Sequence, residues 1–356
     1  MRRTASAVLL AAATALLLSA CAGGGSSKAS SSSPTPKASS SAAAAAIDLG
    51  CSITSGTASN GVKISGAEGA VPTVTVPKGL AAKGEQRTVI TKGAGSAPKS
   101  GSMIVIGFTA YDATTGKSIS APYGWGSQKG ELQIQLGDAT KVPGLTHAFG
   151  CEPVGSRVVY AAPASVAFGS ALNVSQNFTD GSVKAADTVV FAGDILDVVP
   201  QKADGAAQPA QSGFPAVKLA KNGQPTVTID KSATPPTSTK IEVLKKGTGA
   251  TVKSGDTVTV QYQGTEWKSG KIFDQSWGSS HGGTFPSTPS SFATTSVVKG
   301  FGDALVGQKV GSQVEVVIPP ADGYGSNPPT GQTTITKTST LVFVIDILYT
   351  AATPAS

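Results

Sequence analysis

The sequence contains one long segment written twice, and this internal repeat restricts the chain to two copies of one domain. Six blocks recur in the same order at a displacement of about 153 residues, far beyond the period of about 20–50 residues that is typical of solenoids. The segment is therefore a duplicated domain. The matched blocks are 72–76 with 225–229, 89–95 with 243–249, 104–117 with 258–271, 141–145 with 297–301, 164–169 with 321–325, and 188–196 with 340–348.

Composition excludes helical bundles and coiled coils. The 356 residues include 43 Gly and 22 Pro, and only 14 % of the residues are charged, whereas long helices need unbroken runs of Leu, Glu and Lys. The net charge of +7 comes mostly from dispersed lysines, with no basic stripe containing aromatic residues. We therefore expect no nucleic-acid partner.

Each repeat has the pattern of strands around one short helix. Val258, Val260 and Tyr262 alternate with polar residues, as in a half-buried strand, and 341–348 is almost continuously apolar, as in a central strand. The only helix predicted in the second repeat covers 301–306, between two glycines. The fold class predicted for each repeat is α+β.

The N-terminus has the features of a secretory signal. Two arginines precede a short apolar run, and Leu18-Ser19-Ala20-Cys21 resembles the lipobox of bacterial lipoproteins of an actinobacterial type. The resemblance implies that 1–20 are a lipoprotein signal peptide and that the Cys21 thiol is the lipid anchor. The alternative is an ordinary signal peptide with a chance cysteine. We expect the protein to be extracytoplasmic and lipid-anchored to the outer face of the bacterial cell membrane.

A tether and two further cysteines follow the signal. Residues 21–46 are mostly Ser, Ala and Gly, which cannot bury enough apolar surface to fold, so we expect a disordered tether. In an oxidising compartment, pairing of Cys51 with Cys151 is favoured over two unpaired buried thiols. No catalytic role is expected for that disulfide.

The second repeat, 225–351, contains six short motifs that together resemble one family. They are Val260-Gln-Tyr262-Gln-Gly264, Gly270-Lys-Ile-Phe273-Asp274-Gln-Ser276, Val297-Val298-Lys-Gly300-Phe301, Gly307-Gln-Lys-Val-Gly311, Ile318-Pro-Pro-Ala-Asp-Gly-Tyr324-Gly325 and Thr340-Leu-Val-Phe343. Their order and spacing resemble those of the FKBP-type peptidyl-prolyl cis-trans isomerases, which bind macrolide immunosuppressants. The resemblance implies two tandem FKBP-like domains, each with an antiparallel sheet of five to six strands wrapped around a short α-helix.

The resemblance also implies an apolar pocket that accelerates rotation about the Xaa-Pro amide bond. Tyr324 would donate its hydroxyl to a substrate carbonyl, and Asp274 would place a carboxylate at the pocket edge. Rotation breaks no covalent bond, so no metal or cofactor is expected. Each aromatic residue taken alone is more typical of core packing, but their combination at the family's spacing favours a pocket. The implied pocket residues are Tyr262, Phe273, Asp274, Val297, Val298, Phe301, Tyr324 and Phe343, with Phe292, Phe285 and Ile335 as further wall residues.

The second repeat departs from the family in several places. Phe301 stands where the family usually has a tryptophan, no arginine follows Asp274, and the loop 277–291 is unusual in length and composition. These departures put drug affinity and turnover in question more than the fold. His147 and His281 are too scattered to predict a metal site.

The first repeat, 47–200, retains the framework but not the polar pocket residues. Phe108 replaces Tyr262, Ile119-Ser120 replaces Phe273-Asp274, Leu145 replaces Phe301 and Phe168 replaces Tyr324. The prediction is a degenerate domain with hydroxyl-free walls and no isomerase activity. A structural spacer and an apolar peptide-binding surface both fit this pattern.

The sequence thus predicts a prolyl isomerase that helps exported proteins fold. Its active site is expected in 225–351, joined to the first repeat by a linker at 201–224. Expected partners are proline-containing exported polypeptides, macrolide ligands and, through the anchor, the membrane. One alternative is a non-catalytic chaperone module that holds clients, and another is a structural or adhesive lipoprotein of the cell wall.

Overall fold

The computed structural model describes residues 48–125, 132–137, 142–278 and 288–352. Residues 1–46, which carry the predicted signal peptide, Cys21 and the tether, lie outside this part of the chain, as do His281 and Phe285. Within the described residues, no helix is both long and apolar enough to cross a bilayer.

The first repeat consists of one main sheet, a small hairpin and several short helices. Its elements are α1 (Thr57–Gly61), β1 (Lys63–Ser65), β2 (Thr73–Thr75), β3 (Gln86–Thr91), β4 (Met103–Asp112), β5 (Lys117–Tyr123), β6 (Leu132–Gln135), α2 (Pro143–Phe149), β7 (Arg157–Pro163), α3 (Ala164–Ala167), α4 (Ala171–Asn177) and β8 (Thr188–Val199).

The remainder of the chain follows the same plan. Its elements are β9 (Ala206–Ala207), β10 (Ala216–Leu219), β11 (Pro225–Thr228), β12 (Lys240–Lys246), β13 (Thr257–Glu266), β14 (Ile272–Gln275), β15 (Ser290–Ala293), α5 (Lys299–Leu305), β16 (Gln313–Ile318), a 3₁₀ turn (Pro320–Asp322) and β17 (Leu341–Ala351).

The two main sheets have the same strand order. From the same edge, the first is β5-β4-β8-β7-β3, with β6 also paired to β4. The second is β14-β13-β17-β16-β12, with β15 also paired to β13 and one further strand, β9, beside β12. Neighbouring strands in both sheets are antiparallel. The predicted α+β class, an antiparallel sheet against a short helix, is therefore observed in each repeat. Two details differ from the prediction: among the described residues the first repeat has four short helices instead of one, and the second sheet has seven strands instead of five or six, because β9 adds to its edge.

The helix of the second repeat begins earlier than the sequence pattern indicated. It covers Lys299–Leu305 rather than 301–306, so Gly300 lies inside it. A Cβ atom at Gly300 would lie 2.6 Å from Cγ2 of Ile318 on β16. Gly300 therefore allows the helix to approach the sheet closely, instead of marking the start of the helix.

The segment 201–224, expected to be a linker, packs on the outer face of the second sheet. Its strand β10 pairs with β11 in the register that β1 and β2 use in the first repeat, about 153 residues earlier. Backbone amides from the segment reach buried carboxylates of the sheet: Ala203 N donates to Asp346 Oδ2 at 2.8 Å, and Gln211 N donates to Glu242 Oε2 at 2.9 Å. The duplicated unit thus includes a hairpin that covers its sheet.

The two main sheets also contact each other directly. Met103 on β4 and Val199 on β8 pack in one buried cluster with Leu348 on β17. Nearby, the Thr259 hydroxyl donates to Gln133 Oε1 at 2.8 Å. The repeats are therefore joined by side-chain packing as well as by the chain that connects them.

Candidate active site

The candidate site lies on the inner face of the second sheet, where three strands present aromatic residues around one glycine. Gly264 on β13 is paired with Asp274 on β14 and with Phe343 on β17. A Cβ atom at Gly264 would lie 2.6 Å from Phe273 Cζ and 2.7 Å from Phe343 Cε1. The missing side chain lets these two rings meet edge to face, with centroids 5.4 Å apart.

Helix α5 supplies the floor of the site. Val298 is its N-cap residue, and Phe301 in the first turn is only 4 % exposed. The Phe301 ring packs edge to face on Phe343 at 4.9 Å and on Phe292 at 5.6 Å. The helix position therefore fixes a ring at the base of the aromatic group.

Tyr262 and Asp274 form a hydrogen-bonded pair across β13 and β14. The Tyr262 hydroxyl donates to Asp274 Oδ2 at 2.7 Å. Burial, and then the hydrogen bond to Asp274, raise the pKa of Tyr262 above its ordinary value, so the phenol stays neutral and keeps donating. The pair gives the carboxylate one fixed orientation at the edge of the aromatic group.

Tyr324 brings a second hydroxyl to the same place. It follows the 3₁₀ turn, is partly buried and packs against the aromatic cluster. Its hydroxyl makes no hydrogen bond to the part of the chain that the structure describes. Burial, with a smaller effect of the Asp274 charge, raises the pKa of Tyr324. The site therefore contains a neutral donor available to a ligand.

The structure brings the predicted pocket residues together. All of the predicted apolar and aromatic residues among the described ones belong to one cluster, and Asp274 joins them through Tyr262. The clustered residues are Tyr262, Phe273, Val297, Val298, Phe301, Tyr324, Phe343, Phe292 and Ile335.

The predicted disulfide is formed in the first repeat. It joins Cys51 to Cys151, with Cα atoms 5.4 Å apart.

Three further residues support the site and were not singled out by the sequence. Gly264 makes room for the rings, the Ser290 side chain offsets a small part of the rise in the pKa of Tyr262, and Gln332 Nε2 donates to the Phe273 carbonyl at 3.1 Å. Gly264 is the last residue of the motif 260–264, so the family resemblance could have identified it. Ser290 begins the short strand β15 and Gln332 lies in a loop, and neither belongs to a motif that the sequence analysis recognised.

The corresponding place in the first repeat is lined by Phe108, Leu145 and Phe168, without either tyrosine hydroxyl. The expectation of hydroxyl-free walls needs one correction, because Ser120 also lines this place. Its hydroxyl donates to the adjacent Ala121 carbonyl at 3.0 Å, so it is committed to the backbone. Within the described residues, no cluster of His, Cys, Asp and Glu could hold a metal ion.

Comparisons with known proteins find one matching family and several relatives. The family model of the FKBP-type peptidyl-prolyl cis-trans isomerases matches residues 249–348. A probable FK506-binding protein of Corynebacterium glutamicum is 32 % identical over 102 residues, which are 29 % of this chain and 78 % of that protein. An FK506-binding protein of Streptomyces anulatus is 32 % identical over 116 residues, 32 % of this chain and 87 % of the relative.

A third relative is the FKBP-type peptidyl-prolyl cis-trans isomerase FkpA of Escherichia coli K12. It is 36 % identical over 107 residues, which are 30 % of this chain and 36 % of FkpA. Most of each of the first two relatives is therefore matched by a single segment of this chain. With its aromatic pocket and these matches, the chain belongs to the FKBP-type peptidyl-prolyl cis-trans isomerases and is an enzyme of that activity.

Proposed function

We propose that the active site is the aromatic pocket of the second repeat and that its substrates are Xaa-Pro bonds of exported proteins. The observation that carries the proposal is the Tyr324 hydroxyl, which is neutral, partly buried and makes no hydrogen bond to the described residues, within a cluster of phenylalanine rings. The first repeat has Phe168 at the equivalent position and lacks such a donor. Among the residues that the structure describes, the second repeat therefore combines an apolar surface with a placed polar group, and the equivalent place in the first repeat does not.

The chemistry required is rotation about one amide bond. The planar amide has partial double-bond character, with a rotation barrier of about 18–20 kcal/mol, and uncatalysed exchange before proline takes tens to hundreds of seconds. The twisted transition state loses this conjugation and much of the charge separation that water stabilises in the planar form. A water-poor aromatic surface therefore favours the twisted state relative to the planar one.

Each part of the site has a role in this rotation. The rings of Phe301 and Phe343 receive the proline ring, and the Tyr324 hydroxyl donates to a carbonyl of the bound peptide and holds it while the bond turns. The Asp274 carboxylate, fixed by Tyr262, sets the polarity of the pocket edge. No nucleophile or proton transfer enters the scheme.

A pair of matched substitutions in the full chain tests this assignment. Tyr324→Phe removes one hydrogen bond worth about 0.5–1.5 kcal/mol, so kcat/KM for a proline-containing tetrapeptide should fall about 2- to 13-fold. Phe168→Leu, at the equivalent place in the first repeat, should leave turnover unchanged. The assignment is wrong if Phe168→Leu lowers turnover while Tyr324→Phe does not.

The proposed place of action is the outer face of the cell membrane. Support comes from the signal-like residues 1–20, from Cys21 after small residues, and from the Cys51–Cys151 disulfide, which suits an oxidising compartment. In the native host, Cys21→Ser should prevent labelling by radioactive palmitate and release the protein from the membrane fraction. Retention of both labelling and membrane association would refute the anchor.

A further inference from the structure

The first repeat contains a cavity of about 130 Å³ that the isomerase chemistry does not use. Its walls come from strands β4, β5 and β8, from helix α2, and from the ends of α3 and α4. They carry no charged side chain. The lining residues are Phe108, Ala110, Ile119, Ser120, Val142, Leu145, Phe168, Phe178 and Phe191.

This cavity occupies the place of the isomerase pocket in the duplicated fold. Ala110 is paired with Phe191 across β4 and β8, just as Gly264 is paired with Phe343 across β13 and β17. Leu145 occupies on α2 the position that Phe301 occupies on α5. The cavity is therefore a second pocket, derived from the same ancestral domain as the isomerase pocket.

The walls are held apart by contacts that do not depend on a ligand. Phe191 stacks on the buried Tyr160 at 5.8 Å, and the Tyr160 hydroxyl donates to Glu85 Oε1 at 2.6 Å. On the other side, Phe168 packs edge to face on Phe178 at 5.4 Å. Protein interiors rarely keep voids larger than a water molecule, so an open space between fixed rings is unusual.

The chemistry of the walls restricts what can enter. The Ser120 hydroxyl is bonded to the Ala121 carbonyl, and the remaining lining side chains are apolar. A peptide carbonyl inside the cavity would find no donor among these side chains, so the cavity suits a purely apolar group. An apolar pocket of this kind favours apolar guests.

Strand β5 indicates that the guest belongs to a polypeptide. Ile119 and Ser120 line the cavity from β5, and β5 is the end strand of its sheet, paired among the described residues with β4 alone. An extended polypeptide can hydrogen-bond to such an edge and place one side chain beside it, in the manner of β-strand addition.

We propose that this cavity is a non-catalytic binding site for one apolar side chain of an extended polypeptide, the client whose prolines the second repeat isomerises. The choice of a polypeptide guest rests on the proposed function. The site holds the client without turning any bond, because no side chain that lines the cavity is free to donate a hydrogen bond to a peptide carbonyl. On this proposal the first repeat is a peptide-binding domain and not a structural spacer.

The experiment uses the full chain and the proline-free peptide acetyl-Ala-Ala-Leu-Ala-Ala-amide. Binding is followed in methyl NMR spectra through Ile119, Val142 and Leu145. Ala110→Leu fills the cavity and should weaken binding at least 10-fold. The same replacement at Ala97, an exposed position of the first repeat outside the cavity and outside β5, should leave it unchanged. Leu145→Phe is a second filling variant, and it introduces the residue that the second repeat already holds at this place.

The outcomes separate the two proposals. Loss of peptide binding in Ala110→Leu and in Leu145→Phe, with tetrapeptide turnover unchanged, supports the site. Absence of peptide binding to the wild type, or binding that both folded filling variants retain, overturns it. If benzene shifts the methyl signals of the cavity but the peptide does not, the guest is not a polypeptide and the proposal is wrong. If filling the cavity abolishes turnover itself, the assignment of catalysis to the second repeat fails instead.

Discussion

Glu242 and Glu315 lie directly opposite each other on β12 and β16, and both side chains are buried. Neither carboxyl oxygen of Glu315 has a donor among the described residues, whereas Glu242 accepts the Gln211 amide. Two facing carboxylates cannot both remain ionised, so Glu315 carries a proton toward Glu242. Burial, and then the neighbouring Glu242, raise the pKa of Glu315 to about 9.

This pair should make the stability of the fold depend on pH. The folded chain keeps a proton on Glu315 that the unfolded chain loses above its ordinary pKa of 4.5. The free energy of unfolding should therefore fall as pH rises from 4.5 to about 9, at up to about 1.4 kcal/mol per pH unit. Glu315→Gln keeps a donor for Glu242 without the charge, and should flatten this slope in urea titrations.

The comparison needs an acidic side chain outside the pair as its control. Glu68→Gln, at an exposed position of the first repeat, should leave the slope as it is in the wild type. If Glu315→Gln and the wild type give parallel curves of stability against pH, Glu315 is ionised in the folded state and the proton-sharing interpretation fails.

Turnover should stay constant to a higher pH than ordinary tyrosines would allow. The pKa values of Tyr262 and Tyr324 are both raised by burial, so both hydroxyls remain neutral donors above pH 10. We expect kcat/KM for a proline tetrapeptide, measured by exchange NMR, to be level from pH 7 to 10. A fall near pH 10 in protein that is still folded would show that an ordinary phenol controls the rate.

Gly264→Ala should damage the pocket more than the fold. The added Cβ meets Phe273 and Phe343 at less than 3 Å, so at least one ring must move from its place. Overpacking of this kind costs about 1–3 kcal/mol, and we expect kcat/KM to fall at least 10-fold. Gly84→Ala, where an added Cβ meets nothing within 4 Å, is the matched control. Equal effects of the two substitutions would argue against the steric role of Gly264.

The disulfide should stabilise the first repeat without affecting catalysis. It joins residues 100 positions apart, and a loop of that length corresponds to about 4–5 kcal/mol in chain-entropy terms. Replacing both Cys51 and Cys151 with serine should lower the melting temperature of the chain, measured by differential scanning calorimetry. Tetrapeptide turnover should be retained, and its loss would show that the second repeat depends on this crosslink.

The sequence predicted the sheets, and it predicted which side chains cluster around Phe301, because both leave strong patterns. The continuous apolar run in β17 follows from burial of both faces of that strand. The alternation in β13 predicted one exposed face, and this was wrong: the polar residues Thr259 and Gln263 are buried as well, because Gln133 of the first repeat and the hairpin residue Pro225 cover them. The pocket residues came from a family resemblance carried by six ordered motifs. Once the strand order of the family is assumed, these residues are expected to meet on one face of the sheet.

Other features leave little trace in a sequence. The hairpin β10–β11 has short strands with mostly exposed side chains, so 201–224 resembled a linker. Phe178 closes the cavity of the first repeat from the end of α4, a helix with one buried residue and no stripe of apolar positions. The shared proton of Glu315 depends on a facing strand that no local pattern can reveal.

The amides of Ala203 and Gln211 determine where the second repeat can be cut from the chain. A fragment that starts at 225 keeps every motif of the family but loses both amides and strand β10, so Asp346 and Glu242 lose these donors. A fragment that starts near 201 retains them. The shortest isolated unit suitable for crystallisation or ligand screening is therefore defined by the cover on the outer face of the sheet.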